Sequence, residues 1–209
     1  MTTSIENLTR RTYQYWYNDG LTELAAGTLI LLIGLINLLL ALLNSSTLNT
    51  MSLILQPLVL VGGVFAINGI VKPLKERYIY PRTGYVAYRK PEGRRLHLLR
   101  AMAALLGLVI AIAAALLLRV IQEAWLPALV GLFLAFFMTY LGFKLGLIRF
   151  YVVASVTVLL GLAAAWLQLN DLYSKAFTYS GFGLALIVSG SLTLWHYYKT
   201  TRPPATAQE

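Results

Sequence analysis

Residues 72–100 read KPLKERYIYPRTGYVAYRKPEGRRLHLLR. This is the one long polar stretch set between two apolar ones. It carries nine Lys/Arg against two Glu, so it supplies +7 of the chain's formal +9. Where this stretch lies relative to a bilayer fixes the topology of everything around it.

The 209 residues are 58% hydrophobic and 12% charged. A soluble domain carries about 25% charged residues. So much apolar surface cannot be hidden in one small core. Several runs instead have the roughly 20 residues that cross a bilayer as helix. The fold class expected is an all-α membrane protein. Spans are predicted at about Leu21–Leu43, Leu53–Val71, Ala101–Leu118, Trp125–Phe143, Phe150–Leu167 and Ala176–Tyr198. Residues 1–20 are read as a polar, aromatic segment expected at the interface, with no cleavable leader expected. Residues 21–198 form the six-helix domain, and the Pro-bearing tail 199–209 is expected to be disordered.

Counting cations by side assigns the orientation. The N-terminus, the 72–100 stretch, the 144–149 turn and the C-terminal tail hold 15 Lys/Arg, and only Arg119 and Lys175 fall on the other side. The positive-inside rule then puts both termini and the basic loop in the cytoplasm. Trp16 and Trp195 fall at the inner boundary, Trp125 and Trp166 at the outer.

Within the loop, Arg77–Arg89 reads as two short strands around a turn. Pro81 suits the second position of that turn and Gly84 its exit, with Tyr80 and Tyr85 on either side. Such a hairpin is marginal alone. It is expected to pack with the inner helix ends as a cytoplasmic cap that includes Asp19 and Glu23. Those two acids lie four apart, on one helix face. They are expected to pair with basic groups of the loop such as Arg82. The cations Lys75, Arg77, Arg82, Arg89, Lys90, Arg94 and Arg95 are also the candidate contacts for anionic lipid or a partner protein, each adding on the order of 1 kcal/mol near an anionic surface.

Small residues recur at spacings of seven: Gly20, Gly27 and Gly34; Gly62 and Gly69; Gly183 and Gly190. Gly107, Gly131 and Gly142 join comparable series in spans 3 and 4. Small residues on one face let helix backbones approach, which drives packing in lipid. A period of seven favours left-handed crossings. The seams are read as packing within the bundle, with a homo-oligomer as the alternative.

The combination YNDGLTELAAG (Tyr17–Gly27), YPRTGYV (Tyr80–Val86) and GLIRFY (Gly146–Tyr151) resembles a group of multi-span bacterial membrane proteins that pair an aromatic-Asp-Gly start with a PRxGYV loop. The resemblance covers about a tenth of the chain and implies the bacterial inner membrane. It implies no activity.

Chemistry is sparse. No cysteine is present, which removes thiolate metal sites and thiol nucleophiles. The span centres carry no ionisable residue, where a proton-coupled transporter would need one. The deepest polar residues, Asn37, Asn68, Ser155, Thr157, Ser189 and Thr193, are expected to hydrogen-bond between helices. His97 and His196 lack the partners of a metal site. No nucleophile elbow, phosphate-binding loop or zincin motif occurs. No catalytic, metal or cofactor site is therefore expected, and no nucleic-acid partner. The leading expectation is a non-catalytic scaffold or accessory subunit of a membrane complex. The alternatives are a small transporter or channel for a neutral or weakly polar solute and, third, an enzyme acting on lipid at the inner leaflet through Glu23, His97 and the basic loop.

Overall fold

The computed structural model describes residues 17, 19–43, 46–79 and 125–201. Among them the chain is helical, with no strand. Five helices follow one another: α1 (Leu21–Leu43), α2 (Ser46–Tyr78), α3 (Leu126–Leu145), α4 (Ile148–Trp166) and α5 (Asp171–Thr200). Four of these, α1, α3, α4 and α5, are long and apolar enough to cross a membrane. Span 3, the hairpin and the N-terminal interfacial helix short of Tyr17 lie outside the described residues, as does the tail beyond Thr201.

Local chemistry sets the helix ends. α3 and α4 are joined by Gly146 and Leu147 alone. Gly146 adopts a left-handed φ of 66° and donates its N–H to the Gly142 carbonyl at 2.7 Å. A glycine takes that conformation without strain and caps the carbonyls of the last turn. α5 begins at Asp171, five residues before the apolar run. Asn170 caps it by accepting the Asp171 N–H at 2.8 Å, and Lys175 pairs with Asp171 at 2.6 Å one turn on. α2 likewise outruns its apolar core at both ends. Lys72–Tyr78 is helix, so Arg77 and Tyr78 close α2 instead of opening a strand.

Successive contacts run antiparallel and order the helices in space as α2, α1, α5, α4, α3. α1 and α5 close most tightly. A Cβ built on Gly27 would lie 2.8 Å from the Gly183 carbonyl oxygen, and one on Gly190 would lie 2.8 Å from that of Gly20. Gly34 meets the backbone of Ser180 in the same seam. α3 crosses α4 where Gly131 faces Gly161, and Gly142 lies against the Tyr151 ring. α2 touches α1 through Leu29, which fills the space beside Gly63. Gly62 and Gly69 do not join this seam: among the described residues nothing comes within 4 Å of a Cβ built on either.

The core between α3, α4 and α5 holds Met138, Leu145, Phe150, Val153, Phe182 and Leu186. Large apolar side chains also cover the outside. Phe133, Phe136 and Phe143 of α3, Leu159 of α4 and Leu192 of α5 are each more than half exposed. Apolar patches this extensive are rare on water-soluble monomers. They suit helices whose outer surface meets lipid.

Candidate functional site

The antiparallel order brings the start of α1, the end of α2, the start of α4 and the last third of α5 to one end of the bundle. The buried ionisable side chains collect there. Asp19 precedes α1 and does two things. Its Oδ1 accepts the Leu21 N–H at 3.0 Å, in the manner of a helix cap, and its Oδ2 meets Lys75 Nζ at 2.8 Å. Both side chains of this pair are almost wholly shielded, Lys75 being 1% exposed. Lys75 lies in the row Val71–Lys75–Ile79, whose three members are all buried. The four-residue spacing therefore turns the lysine inward along with its apolar neighbours.

One turn into α1, Glu23 is 3% exposed and has both carboxylate oxygens engaged. Oε1 lies 2.7 Å from Arg149 Nη2, and Oε2 accepts the Ser189 hydroxyl at 2.8 Å. The contact to Arg149 is an ion pair whose angle lies outside hydrogen-bond geometry. Arg149 also donates from Nη1 to Thr193 Oγ1 at 3.1 Å and from Nη2 to the Tyr17 carbonyl. Its guanidinium carbon lies 5.5 Å from the Phe150 ring centre, and Phe150 in turn takes the edge of Tyr17. One arginine thus ties α4 to α1, α5 and the segment entering α1.

Burial, with the neighbouring Glu23 carboxylate second, raises the Tyr17 phenol above its ordinary value. Burial lowers Lys75 below the usual lysine value, and Asp19 opposes that shift without cancelling it. The structure shields this ammonium and sets the Asp19 carboxylate 2.8 Å from it.

A second, smaller polar tier lies nearer the opposite end. Asn37, fully buried, donates to the Ile33 carbonyl at 2.8 Å and accepts from Gln56 Nε2 at 2.7 Å, linking α1 to α2. Ser155 and Thr157, expected to reach across helices, instead bond carbonyls of their own helix, those of Tyr151 and Val153. Ser189 and Thr193 do bridge helices, through Glu23 and Arg149.

The basic residues marked in the sequence thus divide. Lys75 is buried in an ion pair instead of facing lipid or a partner. Arg77 is exposed at the end of α2. Arg82, Arg89, Lys90, Arg94, Arg95, Tyr80, Pro81, Gly84, Tyr85, His97 and Gly107 lie outside the described residues, and with them the tie to Arg82; Asp19 does pair with a base of the 72–100 stretch, Lys75. The base on Glu23 is Arg149, which the sequence reading left among the turn residues. A signal for it existed. A cation in the first turn of a helix opposes the helix dipole, and such a residue asks for a carboxylate elsewhere. His196 is exposed on α5. No group of three or more metal-ligating residues occurs among the described residues.

Antiparallel helices able to cross a bilayer, apolar outside and with their buried charges gathered at one end, have the architecture of a helical membrane protein. No family model matches the chain, and neither a curated protein nor a solved structure matches it. The likeness to multi-span bacterial proteins therefore rests on its three short motifs.

Proposed function

We propose that the chain is a six-span protein of the bacterial inner membrane with both termini in the cytoplasm, acting as a non-catalytic scaffold or accessory subunit of a membrane complex. In this reading the basic, tyrosine-rich segment after α2 meets anionic lipid or the partner.

One observation carries the reading. Asp19 and Glu23, the acids inside the charged end, are each engaged by a base from another helix. A transport or catalytic carboxylate needs access to solute, proton or substrate. These carboxylates are committed to joining helix ends, which is the work of a rigid platform. The connectivity supports six crossings. Ile79 follows Lys75 at the charged end, whereas Trp125 opens α3 at the opposite end. Six spans would return the chain from one end to the other through 101–118, the one long apolar run between them. With 15 of 17 Lys/Arg on one side, the positive-inside rule makes the charged end cytoplasmic.

Purification from membranes in a mild detergent, followed by mass spectrometry of the intact assembly, tests the function. The scaffold reading predicts a protein partner in fixed stoichiometry. A chain that purifies alone and carries a neutral solute across proteoliposomes is a transporter, and one that turns over lipid is an enzyme. Either result overturns the proposal.

A further inference from the structure

Two helices reach the charged end in the same order, an exposed ring and then an exposed lysine one turn on. On α5 these are Trp195 and Lys199, and on α3 they are Tyr140 and Lys144. Lys199 Nζ lies 3.8 Å from the centre of the Trp195 ring, and Lys144 Nζ lies 5.9 Å from that of Tyr140. The Cα–Cβ bonds of a helix tilt toward its N-terminus, so each lysine lies back over the ring one turn before it. The usual course for a lysine at a span end is outward into water. Here the Lys199 ammonium stays at the depth of the indole face, which attracts it through the ring quadrupole. Trp195 is 60% exposed. It stands just past Thr193, which accepts from the Arg149 guanidinium. The pair therefore lies on the outside of the bundle, at the level of the buried charges.

Lys199 has no carboxylate to meet. The acids at this end among the described residues are Asp19, Glu23 and Glu76, and they are held by Lys75, Arg149 and Lys72. The opposite end is built differently. Trp125 and Trp166 are also exposed, but among the described residues no cation lies over either ring, and Lys175 is paired with Asp171. The two ends share rings suited to the headgroup zone and differ in the charge set beside them. We propose that Lys199 with Trp195, and Lys144 with Tyr140, are seats for the headgroup of an anionic phospholipid. The ring faces the glycerol and upper acyl chain, and the ammonium faces the phosphate. Such a lipid fits both halves of the seat. Free phosphate would leave the ring uncovered, and a zwitterionic headgroup brings its own cation to compete with the lysine. The proposal rests on these helices lying in a membrane, and not on the number of crossings or on the segment after α2.

Trp195 reports on its own seat. The full-length chain with Trp16→Phe, Trp125→Phe and Trp166→Phe keeps it as the single tryptophan. This protein is reconstituted in phosphatidylcholine vesicles containing a growing share of either brominated phosphatidylglycerol or brominated phosphatidylcholine, whose bromines quench a ring they touch. Half-quenching of Trp195 is expected at about a fivefold lower share of the brominated anionic lipid, the factor that one basic side chain contributes near an anionic surface. Lys199→Gln is expected to bring the two lipids level, Lys199→Arg to keep the preference, and Lys144→Gln to leave it unchanged at Trp195. A chain that keeps Trp166 alone is expected to show none. Tyr140→Trp in a chain whose own tryptophans are all Phe reads Lys144 in the same way. Equal quenching of Trp195 by the two lipids overturns the proposal. So does a preference that survives Lys199→Gln or appears equally at Trp166, since either would assign it to the net charge of the chain. Quenching by neither lipid would mean that protein covers the surface, and would overturn the proposal as well.

Discussion

α1 is held on its two sides by different means. Against α5 it closes chiefly through glycines, with carbonyl oxygens where side chains would otherwise stand and one polar tie, Glu23 to Ser189. Against α2 it closes through polar ties at its ends, Asp19 with Lys75 and Asn37 with Gln56, and a leucine beside Gly63 between them. Lipid tails are as apolar as leucine, so burial of apolar surface gives helices in a bilayer little reason to associate. Dispersion between closely approaching backbones supplies one reason and hydrogen bonds or ion pairs supply the other. The glycine contacts of the first side should therefore be sensitive to volume and indifferent to charge, and the polar ties of the second the reverse.

The largest effect is expected at the polar seam. Lys75→Met leaves the Asp19 carboxylate buried with its basic partner removed, and Asp19→Asn takes the carboxylate away from the buried ammonium. Breaking a buried pair from one side costs about 3–5 kcal/mol, to be read as the loss of unfolding free energy in detergent micelles. Next comes the glycine seam. Gly27→Ala puts a methyl group 2.8 Å from the Gly183 carbonyl oxygen, and overpacking of this kind costs about 1–3 kcal/mol. A Gly27→Ala loss that varied with salt or pH would break the distinction between the seams. Asn37→Leu is expected to cost less, about 0.6–2 kcal/mol, the range for one interhelical hydrogen bond in a membrane protein.

These ties were only partly legible in the sequence. The 23 residues of α1 coincide with the expected first span, because Gly20 and Asn44 bracket an unbroken apolar run. α2 and α5 outrun their apolar cores, since hydropathy locates where lipid begins whereas capping and side-chain pairing decide where a helix ends. Asp19 and Glu23 stood out as acids on a predominantly basic side. Lys75 lies in the stretch from which their partners were expected, but Arg149 did not stand out, because an arginine at a span end normally reads as facing water. Only packing reveals that Val71, Lys75 and Ile79 share a buried row, or that Arg149 reaches three other segments. The loop hairpin rested on turn residues beyond Ile79, outside the described part of the chain.

The smallest expected effect is one of pH. Burial lifts the Tyr17 phenol above its ordinary 10.0, so above that pH the folded state retains a proton that the unfolded chain loses. Stability then falls as pH rises through the interval between the two values. Lys75 shifts downward and so acts in the opposite sense, gaining stability with pH up to the ordinary lysine value. Tyr17→Phe removes the first contribution alone. The variant's melting temperature should therefore drop less than the parent's between about pH 9 and about pH 11.

The claim beneath the whole account is that the charges inside the bundle are ties between helices. A double-mutant cycle on Asp19 and Lys75, read by unfolding in micelles, tests it most directly. If the two groups serve one another, Asp19→Asn with Lys75→Met should be much less destabilised than the sum of the single variants, with a coupling of about 2–3 kcal/mol. Losses that simply add would mean that the pair does not hold α2 to α1, and would contradict the account.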